Sequence, residues 1–570
     1  MLRRNSVSFI YTFLSDSFMK NTFLRFSIAI FAFIASAVSI QAQTRSETLA
    51  ITNARIVTVS GAAIERGTVV VRDGLIEAVG ANLKAPADAR VIDGSGLTVY
   101  PGLIDANTNL GLSPAPAPRP PGMAITPNAA QPTASNSNYP VGLQPEDSAF
   151  DGLKSGEAQF ETVRNAGFTT ALIVSREGIF NGQSAIVNLA GDSVSEMTLR
   201  PAFAEHFSFT TLRTGAYPTS LMGTFSALRQ MLLDAQRLQL NRQTYDKNPR
   251  GMKRPEADKS LEALLPVLNR TMPIVFNANT EIEIIRAVDL AKEFNLNAII
   301  SGGQEAWKVA DRLKASNIPV LLSLNFPKRT ATASPEADAE SLELLRLRAE
   351  TPKTAAKLLS AGVKFAFQSG GMTSINDFLT NAEKATQNGL SKEAAVRAMT
   401  LSAAEIFGLD NRLGSIETGK IANLTVSRGD ILSKDKTITH VVVDGRMFEQ
   451  KEKPKTPTPP RTGGATQEPA TANVGGTYAI NIEIPGQATP ATLVLTQQGE
   501  TLTGSIQGQF GSAPLKNGKI TSEGFSFSAT VEFGGQTIDL DASGKVTGNQ
   551  ISGTITTPQG AIPFSGTKTP

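Results

Sequence analysis

Between residues 49 and 80, apolar and polar positions alternate with the period of a strand, first in ITNARIVTV and then in TVVVRDGLIEAVG, where Asp73-Gly74 marks a hairpin turn. Residues 89–92 carry a third strand pattern. It leads through Gly94 and Gly96 into LTVYPGLIDANTNLG, a continuous apolar strand that ends in polar residues. From about residue 152 to 409 the spacing changes. Short apolar runs (FTTALIV, PIVFNAN, NAIISGG, IPVLLSL and VKFAFQSGG) alternate with helical patterns at 221–240, in EIEIIRAVDLAKEF and in EAWKVADRLKAS. This alternation predicts an α/β fold with a parallel sheet and crossover helices. Its length of about 250 residues favours a closed (β/α)8 TIM-like barrel over an open sheet. Strand patterns return in RLGSIETGKIANLTVSRGD and ITHVVVDGRMF and would complete the small sheet begun at residue 49, giving a composite β-sandwich built from both flanks of the barrel.

The remaining segments have their own signatures. Residues 451–472 form a Pro-rich linker. Beyond it Tyr478, Ile480, Ile482 and Ile484 share one face of a strand, and about eight such strands in a short span predict a C-terminal all-β domain, an antiparallel sandwich or small barrel. Residues 113–140, rich in Pro, Ala, Asn and Ser, read as a long loop. Following the first barrel strand, it should lie over the C-terminal face as a lid. From Met19 the chain reads MKNTFLRFSIAIFAFIASAVSIQAQ: a basic start, an apolar run over 26–40 and Ala42 at a cleavage point, the pattern of a secretory signal peptide. The run is short of the ~20 residues that span a bilayer, so no transmembrane segment is expected after its removal and the protein is expected to be periplasmic or secreted. The predicted division is signal peptide 1–42 with Met19 as a candidate start, composite β-sandwich 43–100 and 412–450, barrel 101–411, linker 451–472 and all-β domain 473–570.

Composition narrows the partners. A chain of 570 residues exceeds what one core normally organises, which agrees with several units. The net charge of +3 is spread along the chain without a basic stripe, so nucleic acid is not an expected partner. Cysteine is absent, which excludes disulfides, thiolate metal sites and a thiol nucleophile. A Ser/His/Asp triad would need His206 or His440, and no Gly-x-Ser-x-Gly elbow precedes a helix. The strings GQSAIVNLAGD and SGGQEAW lack a Walker lysine and dinucleotide spacing and read as tight turns.

Four separated strings, VIDGSGLTVYPGLIDANTN, PIVFNAN before a helix, ISGGQEAWKVADRL and LGSIETGKIANL, carry a resemblance. Over roughly residues 47–450 the chain resembles the amidohydrolase superfamily, particularly its imidazolonepropionase-like members. The resemblance implies a His-x-His pair ending the first barrel strand and one His on each of strands five and six. Together these hold zinc or another divalent ion, and an Asp on strand eight handles the attacking water. At the matching positions this chain has Asn107 and Asn109, then Asn277, then Ser301 or Gly302, then Ser369 or Gly370. Zinc or another metal cofactor is therefore not expected. Asn107, Asn109, Asn277, Ser301 and Gly370 form the candidate pocket, and no catalytic residue is assigned.

The remaining candidates have plainer readings. His206, in AEHFSFTTLR after the fourth or fifth strand, could face the barrel mouth, but one His does not make a zinc site. His440, on an outer strand of the small sheet, reads as structural. Amide oxygens of Asn107, Asn109 and Asn277, with Asp105 the nearest carboxylate, would hold a hard cation only weakly, and Asp105 itself reads as structural. The family activity is hydrolysis of non-peptide C–N bonds. The leading expectation is a metal-free pseudoenzyme whose former active-site pocket binds a small ligand or protein partner. The alternatives are a divergent hydrolase of cyclic amides or dipeptides without the usual metal centre, and a surface-binding module acting through the C-terminal β domain.

Overall fold

The computed structural model describes residues 48–112, 139–212, 217–329, 340–450 and 474–569, the last apart from several short turns. The predicted signal peptide, the linker and nearly all of the proposed lid lie outside the described residues. The chain divides into two units, Met1–Pro454 and Lys455–Pro570.

The first unit opens with β1 (Leu49–Ile56), β2 (Ile64–Arg72), β3 (Leu75–Gly80), β4 (Arg90–Asp93) and β5 (Leu97–Pro101). Asp73 and Gly74, at φ of 52° and 77°, make the β2–β3 hairpin, since both central residues of this turn require the left-handed region. The barrel follows as β6 (Leu103–Thr108), β7 (Phe168–Ile173), β8 (Phe180–Gln183), β9 (Ala185–Asn188), a short β10 (Thr198–Arg200), β11 (Glu205–Ser208), β12 (Ile274–Ala278), β13 (Ala298–Gly302), β14 (Val320–Ser323) and β15 (Phe365–Gln368). Finally β16 (Leu424–Arg428), β17 (Thr437–Val443) and β18 (Arg446–Glu449) return to the first strands. They make one sheet in the order β18-β17-β16-β5-β1-β2-β3, with β4 also on β1. The composite unit built from both flanks is thus a single hydrogen-bonded sheet, with Ile51, Ile56, Val69, Val99, Leu424 and Val442 in its core.

Most barrel strands, β7, β9 and β12 to β15 above all, are predominantly apolar because both faces are covered. Ile104, Leu172, Ile186, Val275, Ile299, Leu321 and Ala366 fill the interior. Leu103, Phe168, Phe276, Ile300, Val320 and Phe367 pack outward into the larger cluster that includes the helices. Those helices carry ordinary start signals. Thr280 and Glu283 form a complete capping box on Glu281–Glu293, and Ser220 caps the long helix Leu221–Lys247.

One stave departs from the all-parallel expectation. Strands β8 and β9 are two halves of one segment broken at Ser184; β9 pairs antiparallel with β7, and β8 antiparallel with β11. Only residues 174–179 connect it to β7, and a parallel crossover needs a dozen or more residues, so the chain can only turn back. The string GQSAIVNLAGD is therefore mostly strand, which corrects its reading as a tight turn. The staves β11 to β15 run parallel in sequence order. The Ser369 N–H, just past β15, donates to Asp105 on β6 at 2.8 Å across the remaining seam.

The second unit is a closed antiparallel barrel of eight strands, β19 (Gly476–Ile484) to β26 (Gly560–Lys568), in which β19 also pairs with β26. Tyr478, Leu493, Leu502, Phe525, Phe527, Ile551 and Phe564 fill its interior, which resolves the choice between sandwich and barrel.

Candidate functional site

The apolar barrel strands end in polar residues, and pairing register lines these up. Ser208 pairs with Asn277, Asn277 with Ser301, and Ser323 with Gln368. A register irregularity between Asp105 and Thr108 brings Asn107 to the same level. Together they line a cavity of about 360 Å³ at the strands' C-terminal ends, with Arg176 from the loop after β7 and Gly370 after β15. A side chain at Gly370 would meet Ser323 Oγ at 2.4 Å on a backbone with φ of 56°, so glycine is needed there.

The wall is held by neutral hydrogen bonds. Asn107 Nδ2 donates to Ser301 Oγ at 2.8 Å, and Gln368 Nε2 donates to the same oxygen at 2.9 Å and to the Leu321 carbonyl at 2.6 Å. Asn277 Nδ2 donates to Ser208 Oγ at 2.8 Å and to Asn181 Oδ1 at 3.0 Å, while the Ser208 hydroxyl donates to Asn181 Oδ1 at 2.6 Å. Such a network fixes the orientation of each amide.

Two charged groups adjoin this wall. Asp105 is 1% exposed, and burial pushes its carboxyl up to about 6. The Ser369 hydroxyl and backbone N–H, the Asn107 N–H and the Arg176 charge all pull the other way. Arg176 stands at the cavity, where desolvation lowers its pKa and Asp105 opposes that. Against the ordinary 3.8 for aspartate, ionising Asp105 in the fold costs about 3 kcal/mol. Between about pH 4 and 6 the folded protein keeps this proton while the unfolded chain has lost it, so its contribution to stability falls across that window and is level above it. Asp105→Asn should therefore gain on the wild type from pH 4 to 6 and hold a constant difference from pH 6 to 8, as read by denaturant unfolding; a difference that does not vary with pH would refute this.

Of the residues singled out from sequence, Asn107, Asn277, Ser301 and Gly370 meet at the cavity. Asn109 does not: it lies exposed beyond the end of β6 and is absent from the cavity wall. His206 sits on the fourth stave rather than after it. It pairs in register with Val275, fully buried, with Nε2 2.9 Å from Ser184 Oγ. Burial without a counter-charge pushes it down to about 3, so it is a neutral packing residue below the cavity and not a mouth residue. His440 is half-buried on β17 beside Thr439 Oγ1. Arg176, Ser208, Ser323 and Gln368 also line the cavity and were not singled out. The available signal was the polar residue at or just past the end of each apolar run. Among the described residues no three His, Asp or Glu side chains lie close enough to hold a metal ion.

The amidohydrolase family model matches residues 98–448. An amidohydrolase from Thermotoga maritima MSB8 superposes with a TM-score of 0.58 at 25% identity, over 70% of this chain and 100% of its own. A prolidase complexed with N-methylphosphonate-L-proline gives 0.44 at 16% identity, over 71% of this chain and 100% of its own. No curated protein sequence matches the chain. With a family match over more than half its length, carried on a barrel whose strand ends build one polar cavity, this chain belongs to the amidohydrolase family.

Proposed function

We propose that this amidohydrolase-family protein works without the family's divalent metal and uses the cavity at the barrel mouth to bind a small polar ligand. The observation that carries this reading is the donor set at the strand ends. Asn107, Asn277 and Ser301 offer only neutral amide and hydroxyl groups, Asn107 donating to Ser301 and Asn277 to Ser208 and Asn181, and Arg176 adds a positive charge. A zinc-type ion needs imidazole or anionic donors, and magnesium or calcium usually needs carboxylates. The nearest carboxylate, Asp105, is spent on the Ser369 and Asn107 N–H groups. The residues present do not fit the metal.

Protein purified without chelator or affinity tag should carry no stoichiometric Zn, Mn or Fe by elemental analysis, and chelator should leave its unfolding midpoint unchanged. One tightly held equivalent of metal would sink the metal-free reading. A thermal-shift screen of neutral and acidic small molecules tests the ligand half, and no stabilising compound would sink that half. The basic start and apolar run before residue 43 support an exported protein, and fractionation that leaves it in the cytoplasm would overturn this. Among the described residues no helix is long and apolar enough to cross a membrane.

A further inference from the structure

The hydrogen-bond accounts of the cavity wall do not balance. Asn277 spends both Nδ2 hydrogens on Ser208 and Asn181, and Gln368 spends both Nε2 hydrogens on Ser301 and the Leu321 carbonyl. Asn107 spends one on Ser301. What each amide retains is its carbonyl oxygen, and among the described residues none of these three oxygens accepts a hydrogen bond. Ser301 Oγ accepts twice, which leaves its O–H to donate. The cavity thus presents three open amide acceptors, at Asn107, Asn277 and Gln368, beside the donors that Asn279 and the serine hydroxyls also bring.

Its charge is also unbalanced. Arg176 makes no hydrogen bond or ion pair with any described residue, and Asp105, the one carboxylate acting on it, is buried and outside the cavity lining. A planar guanidinium offers a fork of donors that matches a carboxylate. At ~30 Å³ per water-sized group, a cavity of about 360 Å³ holds about a dozen non-hydrogen atoms.

We propose that the ligand is a small organic acid whose carboxylate pairs with Arg176 and whose other end donates hydrogen bonds, from hydroxyls or an amine, to the amide oxygens of Asn107, Asn277 and Gln368. This rests on the ligand-binding reading above and specifies the ligand's chemistry. A plain fatty acid would leave the acceptors unpaired, and a neutral polyol would leave the arginine unpaired.

The test titrates the full chain calorimetrically with gluconate, 4-aminobutyrate, sorbitol and butyrate. The wild type should bind gluconate or 4-aminobutyrate, and which of the two binds distinguishes hydroxyl from amine donors. Sorbitol, which leaves the guanidinium without its charge partner, should bind at least about 30-fold more weakly, and butyrate, which leaves the amide oxygens unpaired, at least about 10-fold more weakly. Arg176→Gln should weaken the acid by a similar factor while the unliganded variant still folds, as its urea unfolding transition reads. Sorbitol binding as tightly as gluconate, an acid that binds Arg176→Gln as well as the wild type, or no binding by any of the four compounds overturns the proposal. If a neutral member of the thermal-shift screen still stabilises the protein, the binding pocket stands and only the acid assignment falls; if nothing stabilises it, both fall.

Discussion

Glu205→Gln should stabilise the protein, by an amount that grows with pH. Glu205 opens β11, is fully buried, and neither carboxylate oxygen has a partner among the described residues. Burial pushes its pKa well above the ordinary carboxylate range, and Asp147 and Glu146 push it the same way. The folded protein therefore holds this carboxyl protonated while the unfolded chain releases the proton above its ordinary value near 4.5. In that window the wild type loses about 1.4 kcal/mol of stability per pH unit relative to a residue that cannot ionise. The loss continues until Glu205 ionises inside the fold. Glutamine keeps the shape and removes the titration, and Glu205→Met also removes the unpaired polar atoms. Urea unfolding followed through Trp307, the only tryptophan and a residue of the barrel unit, should show both variants gaining on the wild type as the pH rises above about 5. A Glu205→Gln difference that is flat with pH would mean that Glu205 is ionised and paired.

The barrel could be read from sequence wherever a strand is covered on both faces, because burial writes itself as an unbroken apolar run. PIVFNAN, NAIISGG, IPVLLSL and VKFAFQSGG became β12 to β15 for that reason. The reversed third stave was hidden by Gly178 and Gly182, at φ of 79° and 77°, which resemble turn glycines but here let the chain fold back tightly against residues 142 and 147. At the site, the positions matched to lost metal ligands led to Asn107, Asn277, Ser301 and Gly370. The same alignment hid Arg176 and Gln368, which occupy no metal-ligand position and are placed only by pairing register and a short loop. Asn109 failed for a local reason: the polar pair at 107 and 109 straddles the end of β6, so one side chain turns to the cavity and the other to solvent.

The costliest single truncation should be Phe207→Ala, although Phe207 touches no ligand position. Its ring is fully buried on the outer face of β11, with edge-on partners Phe180 at 5.5 Å, Phe209 at 5.3 Å and Phe276 at 6.0 Å. Removing it from a site clamped between strands and helices leaves a cavity that rigid neighbours cannot fill, a loss of about 3–5 kcal/mol; Phe207→Leu, closer in volume, should cost less than about 1.5 kcal/mol. The next residue, Ser208, carries the hydrogen bonds that orient Asn277 and Asn181, so a slackened β11 should also weaken acid binding in the alanine variant while the leucine variant keeps it. Urea unfolding at one pH, read through Trp307, measures the first effect, and calorimetry under native conditions measures the second. A cost below about 1 kcal/mol for alanine would show that the cluster collapses around the gap. Full binding despite a large loss of stability would show instead that the strand ends are held by their own hydrogen bonds and not by the packing behind them.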